Sequence, residues 1–240
     1  MGQMLKVDQD KPDEGVLEQA AEVLRTQGVL VLPTDSVYGI GCAATHDTPA
    51  RERVFQIKER PADMTLPWLI ADTADLARYG EDVPSWALAL TANFWPGALT
   101  VVVRASGRVP AEYQRADTRT IALRMPDSEL VRELARRVRV PLAVTSANTH
   151  GAAPAASGAS VEARLVEEAD LTLDAGPAPI ALPSTIVDCT GAEPCILREG
   201  AIPTGDILHV AALEGSGGGA RNPRSGDGGG RAKSCLVDTR

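Results

Sequence analysis

Lys58 and Arg60, one residue apart at the end of Phe55-Gln-Ile-Lys-Glu-Arg-Pro61, put two cations where a predicted helix is stopped by a proline. A helix C-terminus favours positive side chains through its dipole, so on this fragment alone a solvated helix end is the simpler account. Three later clusters overturn it. Thr145-Ser-Ala-Asn148, Pro183-Ser-Thr-Ile-Val-Asp188 and Leu197-Arg198 each attach polar side chains to a short apolar run. Cations, hydroxyls and an amide carried on the ends of buried strands are the parts from which an α/β protein builds a site for an anionic ligand.

The elements that must position these residues can be read from periodicity. Residues 13 to 27 place Val16, Leu17, Ala20, Ala21, Val23 and Leu24 at helical spacing, with Asp13 as N-cap and Gly28 just past the end. Val29-Leu-Val-Leu32 is wholly apolar, as a strand buried on both faces is, and Pro33-Thr-Asp-Ser36 ends it in turn chemistry. Thr34 therefore stands at a strand's C-terminal end, the edge where open α/β sheets bind ligands. Gly39-Ile-Gly41 allows close backbone approach, either to a phosphate or within a tight turn. Thr48-Pro49 reads as an N-cap and first-turn proline opening the helix that delivers Lys58 and Arg60.

Leu66-Pro-Trp-Leu-Ile70 reads as the next strand, followed by helices near 73 to 79 and 84 to 94, the second broken by Trp95-Pro-Gly97. Leu99 to Val103 and Thr120 to Arg124 are further strands, joined by a long polar surface loop over 104 to 119. Asp127 caps a helix through about Arg139, with Leu130, Val131 and Leu134 facing the core and Arg132, Arg136, Arg137 and Arg139 forming a solvated face. Val140 to Val144 is a strand running into the Ser146 and Asn148 cluster. Residues 149 to 157 form a small-residue loop able to fold over a ligand, and Ser160 begins another helix. Leu171 to Asp174, Thr185 to Asp188 and Cys195 to Arg198 complete the expected fold: α/β, with a twisted mixed sheet of about seven strands flanked by helices around an open concave ligand site. The expected organisation is one domain over residues 1 to 213 and a disordered, glycine-rich tail over 214 to 240.

Composition narrows the class. With 240 residues and 44% apolar content the chain can bury one good core. No apolar run approaches the roughly 18 residues of a membrane span, and the acidic, polar start is unlike a signal peptide, so a cytoplasmic protein is expected. Cys42, Cys189, Cys195 and Cys235 are scattered, which argues against a zinc site or a disulfide framework. His46, His150 and His209 read as loop or surface residues, and Trp95 as a core anchor. A net charge of -8 argues against generic attraction to nucleic acid, because phosphate backbones are held by dense Lys and Arg.

The order of the motifs says more than any one of them. Leu32-Pro-Thr-Asp-Ser-Val-Tyr-Gly-Ile-Gly41, Lys58-Glu-Arg-Pro61, Trp95-Pro-Gly97, Thr120-Ile-Ala-Leu-Arg124, Ser146-Ala-Asn148, Pro183-Ser-Thr-Ile-Val-Asp188 and Ile196-Leu-Arg-Glu-Gly200 closely resemble the YrdC/Sua5 family, threonylcarbamoyl-AMP synthases, over roughly residues 13 to 206. The resemblance is to the short form, which lacks a second C-terminal domain. It implies a nucleotidyltransferase in which L-threonine and bicarbonate give N-carboxythreonine. The new carboxylate attacks the α-phosphate of ATP, releasing pyrophosphate and leaving threonylcarbamoyl-AMP. Downstream transfer proteins would carry the group to adenosine 37 of ANN-decoding tRNAs.

Carried over by motif, Thr34, Arg124, Ser146 and Ser184 would hold threonine, with Arg124 forking onto its carboxylate. Arg60, Thr120, Asn148 and Arg198 would hold the nucleotide, with Lys58 near the phosphates. Lys58, Arg60, Ser146 and Asn148 form the catalytic group in this reading. Magnesium would arrive with ATP, without a protein cage. Two positions depart from the family pattern: Met64 and Leu69 stand where many members carry an asparagine and a histidine. The alternatives are a related carbamoyl-transfer enzyme, whose known forms are longer, and a non-catalytic RNA-binding module, which the negative charge and 3% aromatic content disfavour.

Overall fold

The computed structural model describes residues 2–61 and 64–216. In chain order its elements are β1 (Gln3–Lys6), α1 (Glu14–Arg25), β2 (Leu30–Leu32), β3 (Gly39–Ala43), α2 (Pro49–Lys58), β4 (Trp68–Leu69), α3 (Ala74–Tyr79), β5 (Gly80–Glu81) and α4 (Ser85–Phe94). There follow β6 (Leu99–Ala105), β7 (Thr120–Arg124), α5 (Glu129–Val138), β8 (Leu142–Ser146), α6 (Ala163–Glu168), β9 (Leu171–Asp174), β10 (Thr185–Asp188), β11 (Cys195–Arg198) and α7 (Thr204–Ser216). The strands form one mixed sheet in the order β1-β9-β2-β3-β8-β4-β7-β6-β10-β11, with β5 paired to β6.

The α/β class is as expected, but the sheet has 11 strands among the described residues rather than about seven. β1 is mostly exposed and β5 has only two residues, so neither carries an apolar run. β3 is wholly buried, and its glycines are neither a turn nor a phosphate loop. A Cβ on Gly41 would lie 2.2 Å from the Ala143 carbonyl oxygen, and one on Gly39 would lie 2.4 Å from a Val144 methyl. The glycines let β3 press against antiparallel β8, with Gly41 opposite Val144 and Gly39 opposite Ser146.

Alternation along the strands sends side chains to two faces. Val31, Ile40, Trp68, Val101, Leu123 and Ala143 join a core under α2, α4, α6 and α7, while Leu30, Leu32, Leu69, Leu142 and Val144 join a second core under α1 and α5. The second core ends near β4. Beyond it, Thr100 on β6, Arg124 on β7 and Ile186 on β10 project from the same face and line a cleft with Leu69 and Val144.

Other local expectations change for identifiable reasons. α5 begins after Ser128, not at Asp127, and the Ser128 side chain makes no capping bond. Its arginines are ion-paired as well as solvated: Arg137 binds Glu14 of α1 at 2.6 Å, and Arg136 binds Glu133 at 2.6 Å. Ser160 ends a 3₁₀ turn capped by Ser157, and α6 starts only at Ala163. The 104 to 119 segment is anchored rather than a free surface loop, because β6 continues to Ala105 and buried Tyr113 packs edge-on against Trp68. α7, which packs on α4, runs to Ser216, three residues into the expected tail. Residues 217 to 240, with Cys235, lie outside the described residues. Among the described residues no helix is long and apolar enough to cross a membrane.

Gly41→Ala should lower the unfolding free energy by about 1–3 kcal/mol, because the new methyl meets fixed backbone. Gly107→Ala, with open space around it, is the neutral control. Urea midpoints read the difference, and a Gly41→Ala protein as stable as wild type would mean that β3 and β8 are not in close contact.

Candidate active site

The cleft encloses about 350 Å³ over the strands that α1 and α5 leave uncovered. Its near end is built by the turn after β2 and by the residues facing it. Thr34 Oγ1 donates to the Val37 carbonyl at 2.7 Å and accepts the Ser36 amide at 3.1 Å, a local turn that holds Asp35 and Ser36 toward β7. Arg124, 6% exposed, donates from Nη2 to Asp35 Oδ1 at 2.5 Å, from Nη1 to Ser36 Oγ at 2.7 Å and from Nε to the Gly97 carbonyl at 2.9 Å. Gly97 is brought there by the turn that follows the cis Trp95–Pro96 peptide. Three of the five guanidinium N–H groups are thus used inside the protein, so Arg124 is not the free fork that the sequence suggested.

Beside it, Thr100 Oγ1 and Ser184 Oγ lie 2.8 Å apart, and Arg198 reaches over from β11 to donate to the Ser184 carbonyl at 2.7 Å. The cleft's other end is built by α2 and β8. Arg60 donates to Thr145 Oγ1 at 2.9 Å and to the Thr65 carbonyl at 3.0 Å, while its Nε is buried without a partner. Asn148 donates from Nδ2 to the Thr149 and Ala152 carbonyls at 2.8 and 2.9 Å, leaving Oδ1 buried and unbonded. An unpaired buried acceptor of this kind is a place for a ligand donor.

Eight of the nine sequence-predicted residues cluster here, and besides Arg124 two of the nine, Lys58 and Thr120, are placed differently from expectation. Thr34, Arg60, Arg124, Ser146, Asn148, Ser184 and Arg198 line the cleft. Lys58 lies beneath it, 1% exposed, with its ammonium donating to the Ser146 and Asn148 carbonyls at 2.5 Å each rather than facing the space where phosphates would sit. Thr120 is outside. It shares the Arg124 face of β7 but stands four residues away, about 13 Å at strand rise, opposite Arg104, and its hydroxyl bonds Thr118. Of the two departures from the family pattern, Leu69 and its neighbour Pro67 line the cleft, whereas Met64 is exposed and does not. Sequence reasoning gave no role to Asp35, Ser36, Thr100 or Thr145. Asp35 and Ser36 stood in a motif read as a turn, and only the fold carries them to Arg124.

The site is cationic inside an acidic protein. Burial pulls Arg60, Arg124 and Arg198 below the ordinary arginine value; Asp35 opposes the shift at Arg124, and the Arg124 charge adds to it at Arg198. Burial and the Arg60 charge pull Lys58 from 10.5 down to about 8, with Glu162 acting the other way. A cleft that keeps several cations partly desolvated gains when an anion enters. His46, Asp47 and Glu112, which also come together, form a surface ion-pair cluster and do not line the cleft.

A mixed α/β sheet whose half-open face carries a cleft lined by arginines, hydroxyls and an amide defines an α/β protein with a cationic cleft. The sequence profile of the Sua5/YciO/YrdC family, described as "Telomere recombination", matches residues 22–200, and the chain belongs to this family. It is 34% identical over 207 residues to the putative threonylcarbamoyl-AMP synthase of Mycobacterium tuberculosis, covering 86% of this chain and 94% of that protein. With the threonylcarbamoyl-AMP synthase of Bacillus subtilis it shares 33% identity over 203 residues, 85% of this chain but 58% of that protein. The chain thus spans little more than half the length of that relative. The crystal structure of P. abyssi Sua5 complexed with L-threonine superposes with a TM-score of 0.80 at 32% identity, over 86% of this chain and 60% of that one.

Lys58 gives this site a pH signature. Its folded pKa lies below the unfolded value, so the unfolded chain holds the proton more tightly; the cost is fully present below about pH 8 and is lost as pH rises toward 10.5. Wild type should therefore gain roughly 2–3 kcal/mol relative to Lys58→Met between about pH 7 and about pH 10. Denaturant titrations across that range check it, and parallel curves for the two proteins would contradict the burial of the charge.

Proposed function

We propose that this protein is a threonylcarbamoyl-AMP synthase, a nucleotidyltransferase making threonylcarbamoyl-AMP and pyrophosphate from L-threonine, bicarbonate and ATP. The observation that carries the reading is one cleft with two cationic ends, Arg60 with Ser146 and Asn148 at one and Arg124 and Arg198 with Thr34 and Ser184 at the other. The reaction joins two anions, a carbamate and a triphosphate, so it needs separate charge at each and a cation where they meet.

In this reading Thr34, Ser184 and the two remaining Arg124 N–H groups hold threonine, and Ser146 offers its hydroxyl to it from the Arg60 end. Arg60 and Asn148 hold the nucleotide, Arg60 meeting charge that builds on the departing pyrophosphate. Arg198, hung on the Ser184 carbonyl, would reach from the threonine end to the nucleotide's α-phosphate, where the carbamate oxygen bonds to phosphorus and the bond to pyrophosphate breaks. The attacking oxygen is already an anion, so no protein nucleophile is needed. Lys58 contributes charge from below and holds the carbonyls of Ser146 and Asn148.

Magnesium enters as the counter-ion of ATP. Among the described residues no Asp or Glu lines the cleft, and nearby Asp35 pairs through Oδ1 with Arg124, a donor set that fits an ion held by phosphates and water rather than by a protein cage. The labile product calls for a downstream protein that transfers the threonylcarbamoyl group to tRNA. Direct tRNA contact is weak in this reading because the chain is acidic, and the reaction is placed in the cytoplasm.

Pyrophosphate release from ATP should require threonine and bicarbonate together, since the carbamate must form before there is an oxyanion to attack. Equal release with either one omitted would reject the reaction. Arg60→Ala should weaken ATP binding by about ten- to a hundredfold, the worth of one charge-assisted contact, with a smaller effect on threonine. Calorimetry with each ligand separates the two, and equal loss of both would return Arg60 to a structural role.

A further inference from the structure

Ser146 and Asn148 are cleft residues on a segment that has just left the sheet. β8 pairs with β3 only as far as Ser146 and with β4 only at Leu142 and Ala143, and the Ala147 amide makes a last bond to the Tyr38 carbonyl at 2.8 Å, so the backbone from Asn148 on leaves the ladder. Something else must fix it. Lys58 does part of this from below, through the Ser146 and Asn148 carbonyls, while its own carbonyl accepts the His150 amide at 2.9 Å.

The other hold comes from the side. Glu162 occupies the N-cap position of α6, where a side chain ordinarily accepts a bond from its own helix, yet it makes no such bond. Its carboxylate turns to Thr149, accepting the backbone amide at 2.7 Å on one oxygen and the hydroxyl at 2.5 Å on the other. Arg164 donates to the same hydroxyl at 3.0 Å and lies 3.5 Å from Glu59, so the latch is braced against the end of α2. Thr149 in turn sets Asn148. The Asn148 amide nitrogen must face the Thr149 and Ala152 carbonyls, because both are acceptors, and this leaves Oδ1 as the atom with no internal partner.

We propose that Glu162 is a positioning residue for the nucleotide half of the cleft: through Thr149 it fixes the Asn148 amide so that Oδ1 is presented to the ligand. The assignment of ATP to that half rests on the function proposed above, and the test is arranged to separate the two. Glu162→Ala, Thr149→Val and the double variant are compared with wild type by ATP calorimetry, by pyrophosphate kinetics, by amide hydrogen exchange over 147 to 152 and by thermal unfolding.

Glu162→Ala should raise the ATP Kd and KM about tenfold, the loss expected for one positioned polar contact, with kcat changed less. Amides around Thr149 should lose protection while the unfolding temperature stays near wild type, since the latch lies at the surface. Thr149→Val should do the same more weakly, and the double variant should be no worse than Glu162→Ala, because both act through one contact. Additive effects, or a Glu162→Ala protein with unchanged ATP binding and exchange, would overturn the proposal. If wild type binds ATP but makes no adenylate, the synthase reading fails while the Kd and exchange comparison still decides the latch. Wild type binding neither ATP nor threonine would overturn both.

Discussion

Arg124 is a charge buried in the middle of a sheet, and the arrangement around it follows from that constraint. An unpaired guanidinium at this depth would be strongly destabilising, so it must meet an anion and enough acceptors to replace water. Asp35, Ser36 and the Gly97 carbonyl supply them. Each comes from a different part of the chain: the turn after β2 provides the first two, and the bend after α4 provides the third. The ion pair thus pins two connections to the C-terminal end of β7, beside which Thr34, Thr100 and Ser184 line the cleft. A neutralised, rigid arginine is also a better orienting group than a mobile one, because its remaining N–H directions are already set.

The cleft exists because one face of the sheet is covered only in part. α1 and α5 bury the side chains of β2, β8 and β9, and their apolar contacts stop near β4. Over β7, β6 and β10 the same alternation that makes a core elsewhere projects Arg124, Thr100 and Ile186 into open space. The central strands of the other face are buried under α2, α4, α6 and α7, so rigidity comes from one side and access from the other. This division lets a sheet with a continuous core hold desolvated cations without unfolding around them.

The motifs and their order, together with the side chains they supply, were legible in the sequence. α1 with its Asp13 cap, α2 with Thr48 and Pro49, and the strands that carry Arg124, Ser146 and Ser184 have strong periodic or punctuation signals, because burial on one or two faces imposes the pattern directly. β3 was hidden because a strand that lies flat against its neighbour needs glycine, and glycine reads as a turn. Membership of the family was likewise present in the linear order of motifs.

What only the tertiary structure decided is where the charged groups point. Sequence placed Lys58, Arg124 and Thr120 in one site, but the fold turns Lys58 onto two carbonyls, commits most of the Arg124 fork to Asp35 and Ser36, and leaves Thr120 four residues along its strand from the cleft. Local periodicity fixes the face on which a residue lies. It does not fix the partner, because Asp35 and Arg124 are 89 residues apart in the chain and Lys58 and Asn148 are 90 apart. Glu162 shows the same limit: in sequence it is an ordinary residue before a short helix, and its contact with Thr149 exists only because α6 packs beside the end of α2.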